Sequence, residues 1–215
     1  MTPIAQTTIL GLIDIQPTFM PGGGLPVPGG DAIVPVANRL LRRFARAFAT
    51  QDWHPADHTS FAANHPGRKP YETIDLPYGP QVLWPVHAVA GTQEAMIHPD
   101  IDQTRIEAIV RKGCRPELDS YSAFFENDRT TPTGLDGWLR QRGFSDLVLC
   151  GLATDFCVAW SAEDAARLGY TVTIVEDACR AIALPTTAGR TTMDDARDRL
   201  TALGVRFVAT ATLAA

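Results

Sequence analysis

DLVLCGLATDFCVAWSAEDAARLG, residues 146–169, is the stretch that decides the fold. Residues 146–152 form an almost unbroken apolar run of strand length, as expected for a strand covered on both faces. Residues 154–169 then read as a helix with Gly169 as its stop, and YTVTIVED (170–177) returns to β-branched strand character. Strand, helix, strand in this order is the rhythm of an α/β fold with a mostly parallel sheet.

The same rhythm extends outward. TTILGLIDI (7–15) and ARAFATQDW (45–53) read as strands, joined by a helix over DAIVPVANRLLRRF (31–44) with Asp31 as its N-cap. IEAIVRK (106–112) is a further strand. TGLDGWLRQRG (133–143) is a helix closed by Gly143, TTMDDARDRLTALG (191–204) another helix, and VRFVAT (205–210) a last strand. The expected architecture is one α/β domain over 1–215, with a mostly parallel six-stranded sheet and helices on both faces. Residues 53–90 break the rhythm. They hold six prolines and four of the five histidines, so a long irregular segment with a functional role is expected there.

Composition narrows the partners. The 215 residues carry a formal net charge of -5, with 20% charged and 45% hydrophobic residues, and no Lys/Arg run. These figures allow one sizeable core and argue against nucleic acid or an anionic membrane as partner. The start, MTPIAQTTILGLIDIQ, lacks the basic segment and cleavage site of a signal peptide, and its apolar run is too short to span a bilayer. The expected location is cytoplasmic. Cys114, Cys150, Cys157 and Cys179 form no C-x-x-C pair, and in a reducing compartment such cysteines are buried or catalytic. No interface can be read, so a homo-oligomer stays open.

In open α/β sheets, ligands bind outside the carboxyl ends of the strands. Asp14 ends the first strand, Asp52 and His54 the second, Lys112 the third, and Cys157 follows the fourth in the first turn of its helix. An acid, a metal-ligand pair, a lysine and a thiol therefore converge on one edge. A lone cysteine is more often a small buried apolar side chain, an aspartate at a strand end a turn-former, and a lysine a solvated charge. Together they make a coupled nucleophile, with a helix N-terminus and a lysine expected to lower the thiol pKa. Asp14 is placed to take the proton, and backbone N–H groups of Ala153 and Cys157 to hold an oxyanion. Cys150 reads as core; Cys114 and Cys179 read as core or partly exposed. Asp52, His54 and His87 have the donor types of a zinc, iron or manganese site with open positions, and His58 is a further ligand or a supporting partner. His65 and His98 read as surface loop residues.

These residues also resemble a known family. LIDIQPTFMPGGGLPVPGG (12–30), TQDWHPADHTSFAANHPG (50–67), WPVHAVAGT (84–92), VRKGCRPELDSYSAFF (110–125) and GLATDFCVAWSAEDAARLGY (151–170) are similar, in order, to the nicotinamidase/pyrazinamidase group of the isochorismatase-like hydrolases. The resemblance implies deamidation of nicotinamide to nicotinate and ammonia, and extends to pyrazinamide. It implies Asp14, Lys112 and Cys157 as the catalytic triad and Asp52, His54 and His87 as metal ligands. It further implies Phe19, Trp84 and Tyr121 as the aromatic pocket for the ring, and a cis peptide bond at Leu152–Ala153. The metal, zinc before iron or manganese, would orient the pyridine ring. The chain departs from the family pattern at Ala88, where a cysteine is usual after the histidine. Two other readings remain. One is a metal-independent hydrolase of another small carbamoyl or ureido amide. The other is a ligand-binding protein with an inert Cys157.

Overall fold

A computed structural model of the chain describes residues 5–213. Six strands form one sheet: β1 (Thr8–Ile13), β2 (Ala47–Asp52), β5 (Ile106–Lys112), β6 (Asp146–Leu152), β7 (Thr171–Arg180) and β8 (Arg206–Val208). Their order is β5-β2-β1-β6-β7-β8 and every pairing is parallel. Four helices connect them: α1 (Val34–Arg43), α2 (Leu135–Gln141), α3 (Ala159–Arg167) and α4 (Thr192–Ala202). The chain winds one way from β1 through β2 to β5 and the other way from β6 to β8. Right-handed crossovers therefore put α1 on one face and α3 and α4 on the other, and α3 packs on both α4 and β7. The expected single-domain α/β architecture is the observed one.

The core follows from the strand sequences. All of β1 beyond Thr8 and all of β6 beyond Asp146 are buried, and each fully buried Leu or Ile contributes on the order of 1.5–3 kcal/mol. Gly151 sits where β6 meets β1, at φ 130, and a Cβ there would run into the Ile13 carbonyl. Only glycine allows that approach. The strand order reverses between β1 and β6, so the crevice for a ligand opens at their carboxyl ends.

Three local expectations are corrected. Asp31 does not cap α1. Gly29, in the left-handed region at φ 67, starts a 3-10 turn over Gly30–Ile33, and α1 follows with Pro35 in its first turn, where the missing N–H is not needed. Cys157 lies in a π-helical turn, Thr154–Val158, that precedes α3. The irregular segment also contains an antiparallel hairpin, β3 (Thr73–Leu76) and β4 (Gly79–Val82). Among the described residues, no helix is long and apolar enough to cross a membrane.

Candidate active site

Asp14 follows β1 directly, with its backbone in the left-handed region at φ 48. Thr50 on β2 fixes it twice, accepting from the Asp14 N–H at 3.1 Å and donating its hydroxyl to Asp14 Oδ1 at 2.6 Å. Lys112 is the last residue of β5 and lies opposite Asp52 in the parallel register. Its ammonium reaches Asp14 Oδ2 at 2.8 Å, bonds Asp52 Oδ1, and donates to the Ser120 carbonyl at 3.0 Å and to Cys157 Sγ at 3.4 Å. The side chains of Asp14 and Lys112 have no solvent exposure. Among the described residues, Asp14 Oδ2 has no aligned hydrogen-bond donor and pairs with the Lys112 ammonium. Cys157, Asp14 and Asp52 bring a sulfur and two carboxylate oxygens within 4.8 Å of one another.

Burial sets the charges. It raises Asp14 from 3.8 to about 6, against the pull of Lys112 and with the help of Asp52. Burial would depress Lys112, but Asp14 and Asp52 outweigh it and hold the ammonium well above its ordinary value. Burial would likewise raise Asp52; Lys112 and His54 hold it well below the usual range. The thiol departs from expectation. Burial, seconded by Asp14 and Asp52, pushes Cys157 well up, and Lys112 only partly offsets this. Helix position and Lys112 therefore do not by themselves set the ionisation of this thiol.

The second half of the site grows from the irregular segment. His54 is held by backbone: its N–H donates to the Ala88 carbonyl at 3.0 Å, and its own carbonyl accepts from Ala90 N–H at 2.8 Å. His54 Nδ1 pairs with the Gly113 carbonyl at 2.9 Å, and His87 Nδ1 with the Pro85 carbonyl at 2.8 Å. Both Nε2 atoms then face Asp52 Oδ2, at 3.6 and 3.7 Å. Ligands about 2.0–2.2 Å from a tetrahedral ion lie about 3.3–3.6 Å apart, so both distances to Asp52 are close to the spacing of a metal's ligands. The carbonyl-bound Nδ1 atoms are the outer partners such histidines require. Asp52, His54 and His87 thus form a cluster that could hold a divalent metal ion. Gly113 is needed for it, since a Cβ there would strike the His54 ring.

His58 lies against His54 with ring centroids 4.3 Å apart and tilted by 33°, and pairs its Nδ1 with Ser60 Oγ at 2.7 Å, leaving Nε2 buried without a partner among the described residues. Burial and the neighbouring His54 lower it to about 4. It groups with His54 and Asp119 rather than with Asp52. Ala88, the departure from the family pattern, is fully buried at φ 44 and contributes backbone: its N–H donates to Thr18 Oγ1 at 3.1 Å and its carbonyl holds His54. His65 and His98 are half-buried loop residues, with His65 Nε2 on the Thr59 carbonyl at 2.7 Å. Cys150 and Cys179 are buried and Cys114 is exposed.

Between the two halves lies a pocket with an empty volume of about 330 Å³. Phe19, Trp84 and Tyr121 line it together with Cys157, Ala153 and the three cluster residues. Trp84 Nε1 donates to the Tyr121 hydroxyl at 3.0 Å, which fixes both rings. The peptide bond before Ala153 is cis. Leu25, Asp119, Phe156 and Ile182 also line the pocket and were not foreseen. Phe156, edge-on to Trp84 at 4.9 Å, was legible as the neighbour of Cys157. Ile182 follows β7, which runs to Arg180 instead of stopping at 177.

Comparison with known proteins agrees with this geometry. Residues 8–203 match the isochorismatase domain family. A nicotinamidase of Acinetobacter baylyi is 51% identical over 83% of each chain. A nicotinamidase of Escherichia coli is 46% identical over 80% of this chain and 82% of its own. The structure of an Acinetobacter baumanii nicotinamidase/pyrazinamidase superposes with a TM-score of 0.92 at 44% identity, covering 98% of this chain and 99% of that one. A zinc complex of a Pyrococcus horikoshii pyrazinamidase gives 0.73 at 31% identity, covering 94% and 99%.

Proposed function

The chain belongs to the isochorismatase domain family, and on that premise we propose that it is an amidohydrolase that converts nicotinamide to nicotinate and ammonia. The carrying observation is the buried Lys112 ammonium, in contact with Asp14, Asp52 and Cys157 at once. Such an arrangement has no structural use that an apolar residue would not serve better.

Cys157 is the nucleophile. Asp14, held by Thr50 and adjacent to Lys112, takes the thiol proton as sulfur bonds to the carboxamide carbon. Lys112 stays charged and stabilises the negative charge as it passes between carboxylate and sulfur. The carbonyl oxygen, now an oxyanion, is received by the N–H groups of Ala153 and Cys157. Asp14 returns its proton to the amine, ammonia leaves, and a thioester remains. A water, deprotonated by the same carboxylate, then releases nicotinate and restores the thiol.

Asp52, His54 and His87 are the residues that would hold a divalent metal, zinc by donor type, with His58 as a further ligand or support. When bound, that ion supplies Lewis acidity toward a ring nitrogen, directly or through water, and so orients the ring. Phe19, Trp84 and Tyr121 supply the ring's apolar walls. This cluster favours a pyridine carboxamide over the substrates of a metal-independent amidase. Pyrazinamide, with the same carboxamide on a diaza ring, is expected to be a second substrate. The test is ammonia release from nicotinamide. Activity in the native protein that disappears in Cys157→Ala supports the proposal; equal release from both refutes it.

A further inference from the structure

The turn that presents the nucleophile carries three consecutive residues with different surroundings. Cys157 faces Lys112, Phe156 lines the pocket, and Asp155 is turned away from both toward the loop after β7. Asp155 is 3% exposed. Its carboxylate accepts from the Ile182 N–H at 3.0 Å, the Ala183 N–H at 2.8 Å and the Thr192 hydroxyl. All three donors lie within residues 182–192, a segment with Ala183 in the left-handed region at φ 56 and a link between Thr192 and Leu184 that closes it on itself. Charge-assisted bonds of this kind are the stronger class and fix geometry as well as position. The residue they fix first, Ile182, is a wall of the pocket.

We propose that Ile182 is a specificity-determining residue of the pocket and that Asp155 is the positioning residue that holds it at a set distance from Cys157. The turn that carries Cys157 and the pocket wall at Ile182 are thereby tied to one carboxylate, so their relative placement is set by the fold. A branched aliphatic wall admits an unsubstituted ring and rejects extra ring carbon on its side. One methyl group in such a pocket changes relative rates by about tenfold or more. This inference rests on the pyridine carboxamide reading of the pocket.

The test compares native protein, Ile182→Ala, Asp155→Asn and Thr192→Val, none of which alters the triad or the metal cluster. The first readout is kcat/KM for nicotinamide and for nicotinamides methylated at ring carbons 2, 4, 5 and 6. The second needs no substrate: the rate of alkylation at the Cys157 peptide by iodoacetamide against 2-iodo-N-phenylacetamide. In Ile182→Ala, at least one methylated ring is expected to gain about tenfold relative to nicotinamide, with a gain in relative rate for the larger alkylating agent. Asp155→Asn is expected to favour the same ring position, and Thr192→Val to do so more weakly. A merely structural Asp155 would lower the melting temperature without moving either ratio, and that result overturns its role. Unchanged ratios in Ile182→Ala overturn the wall itself. If Asp155→Asn fails to fold, Thr192→Val decides in its place. If the native protein turns over no amide while the alkylation ratio shifts, the wall stands and the substrate reading falls.

Discussion

The two halves of the site are built in opposite ways. The triad half stands on strand ends. Asp14, Asp52 and Lys112 hold their places because β1, β2 and β5 lie side by side in a register that pairs Asp52 with Lys112. The other half, the candidate metal cluster and hereafter the metal half, stands largely on irregular chain. His54 and His87 are brought together by single bridges, His54 with Val89 and Phe61 with Trp84, and by carbonyls that accept from their Nδ1 atoms. The first half depends on sheet formation, the second on individual hydrogen bonds. The first should therefore tolerate changes in the second, and Asp52, which touches both, is where that independence ends.

The largest expected effect removes the sulfur. Cys157→Ala should lower kcat by at least about 10⁴-fold while metal content and nicotinamide binding stay near native. Loss of metal together with activity would show that the halves are not separable. Asp14→Asn should cost about 10²–10⁴-fold in kcat, again with metal retained. In the native protein Asp14 works as a base only when ionised. With its carboxyl raised to about 6, kcat/KM should therefore fall as pH drops through about 6. The limb belongs to the coupled trio rather than to one residue. A pH–rate profile flat to pH 4 would refute Asp14 as the base.

Asp52→Asn is the break in the comparison. It removes one residue of the candidate metal cluster and one of the two carboxylates against Lys112. We expect metal loss and a fall in kcat of about 10²–10³-fold that added metal does not restore. Full recovery in excess metal would mean that Asp52 serves the metal half alone. His54→Ala is the milder counterpart: metal affinity and kcat/KM should drop about 10–100-fold, while alkylation of Cys157 stays at its native rate. Native affinity for nicotinamide without metal would refute the ring-orienting role.

The same division explains what the sequence made legible. β1, β5 and β6 announce themselves by apolar runs or alternation at strand length, and the strand-end rule then points to Asp14, Lys112 and Cys157. The hairpin β3–β4 does not announce itself, because Pro77 and Pro80 interrupt the pattern that strands show. Its Gln81 is buried and donates to both Asp119 Oδ2 and the Tyr121 hydroxyl, at 2.8 and 2.9 Å. One wall of the pocket thus rests on a residue with no sequence signal. The surroundings of the thiol were only partly legible for a related reason. Helix position and a lysine were visible in the sequence, but the extent of burial was not, and burial dominates.

Gln16 offers the finest test of how the halves are joined. It is buried beside Asp52, accepts from the Asp52 N–H at 2.8 Å and donates to the Asp52 carbonyl at 2.9 Å and the Ala95 carbonyl at 2.8 Å. The side chain thus acts as a short strand partner for a single residue, at the point where β2 ends and the irregular segment begins. It touches no triad atom and no Nε2, so its removal should leave both chemistries intact and loosen only their relative placement. Gln16→Ala leaves polar backbone groups of Asp52 buried without partners, and should lower stability by about 1–3 kcal/mol. In the folded fraction we expect a loss in kcat of about tenfold or less, with metal content unchanged, because a displacement well below 1 Å suffices to misalign ring and sulfur. Denaturant unfolding and metal analysis on the same preparation separate the two effects. A drop in stability with native kcat would show that β2 and β5 alone hold Asp52 in place, and that the sheet rather than the loop sets the distance between metal and thiol.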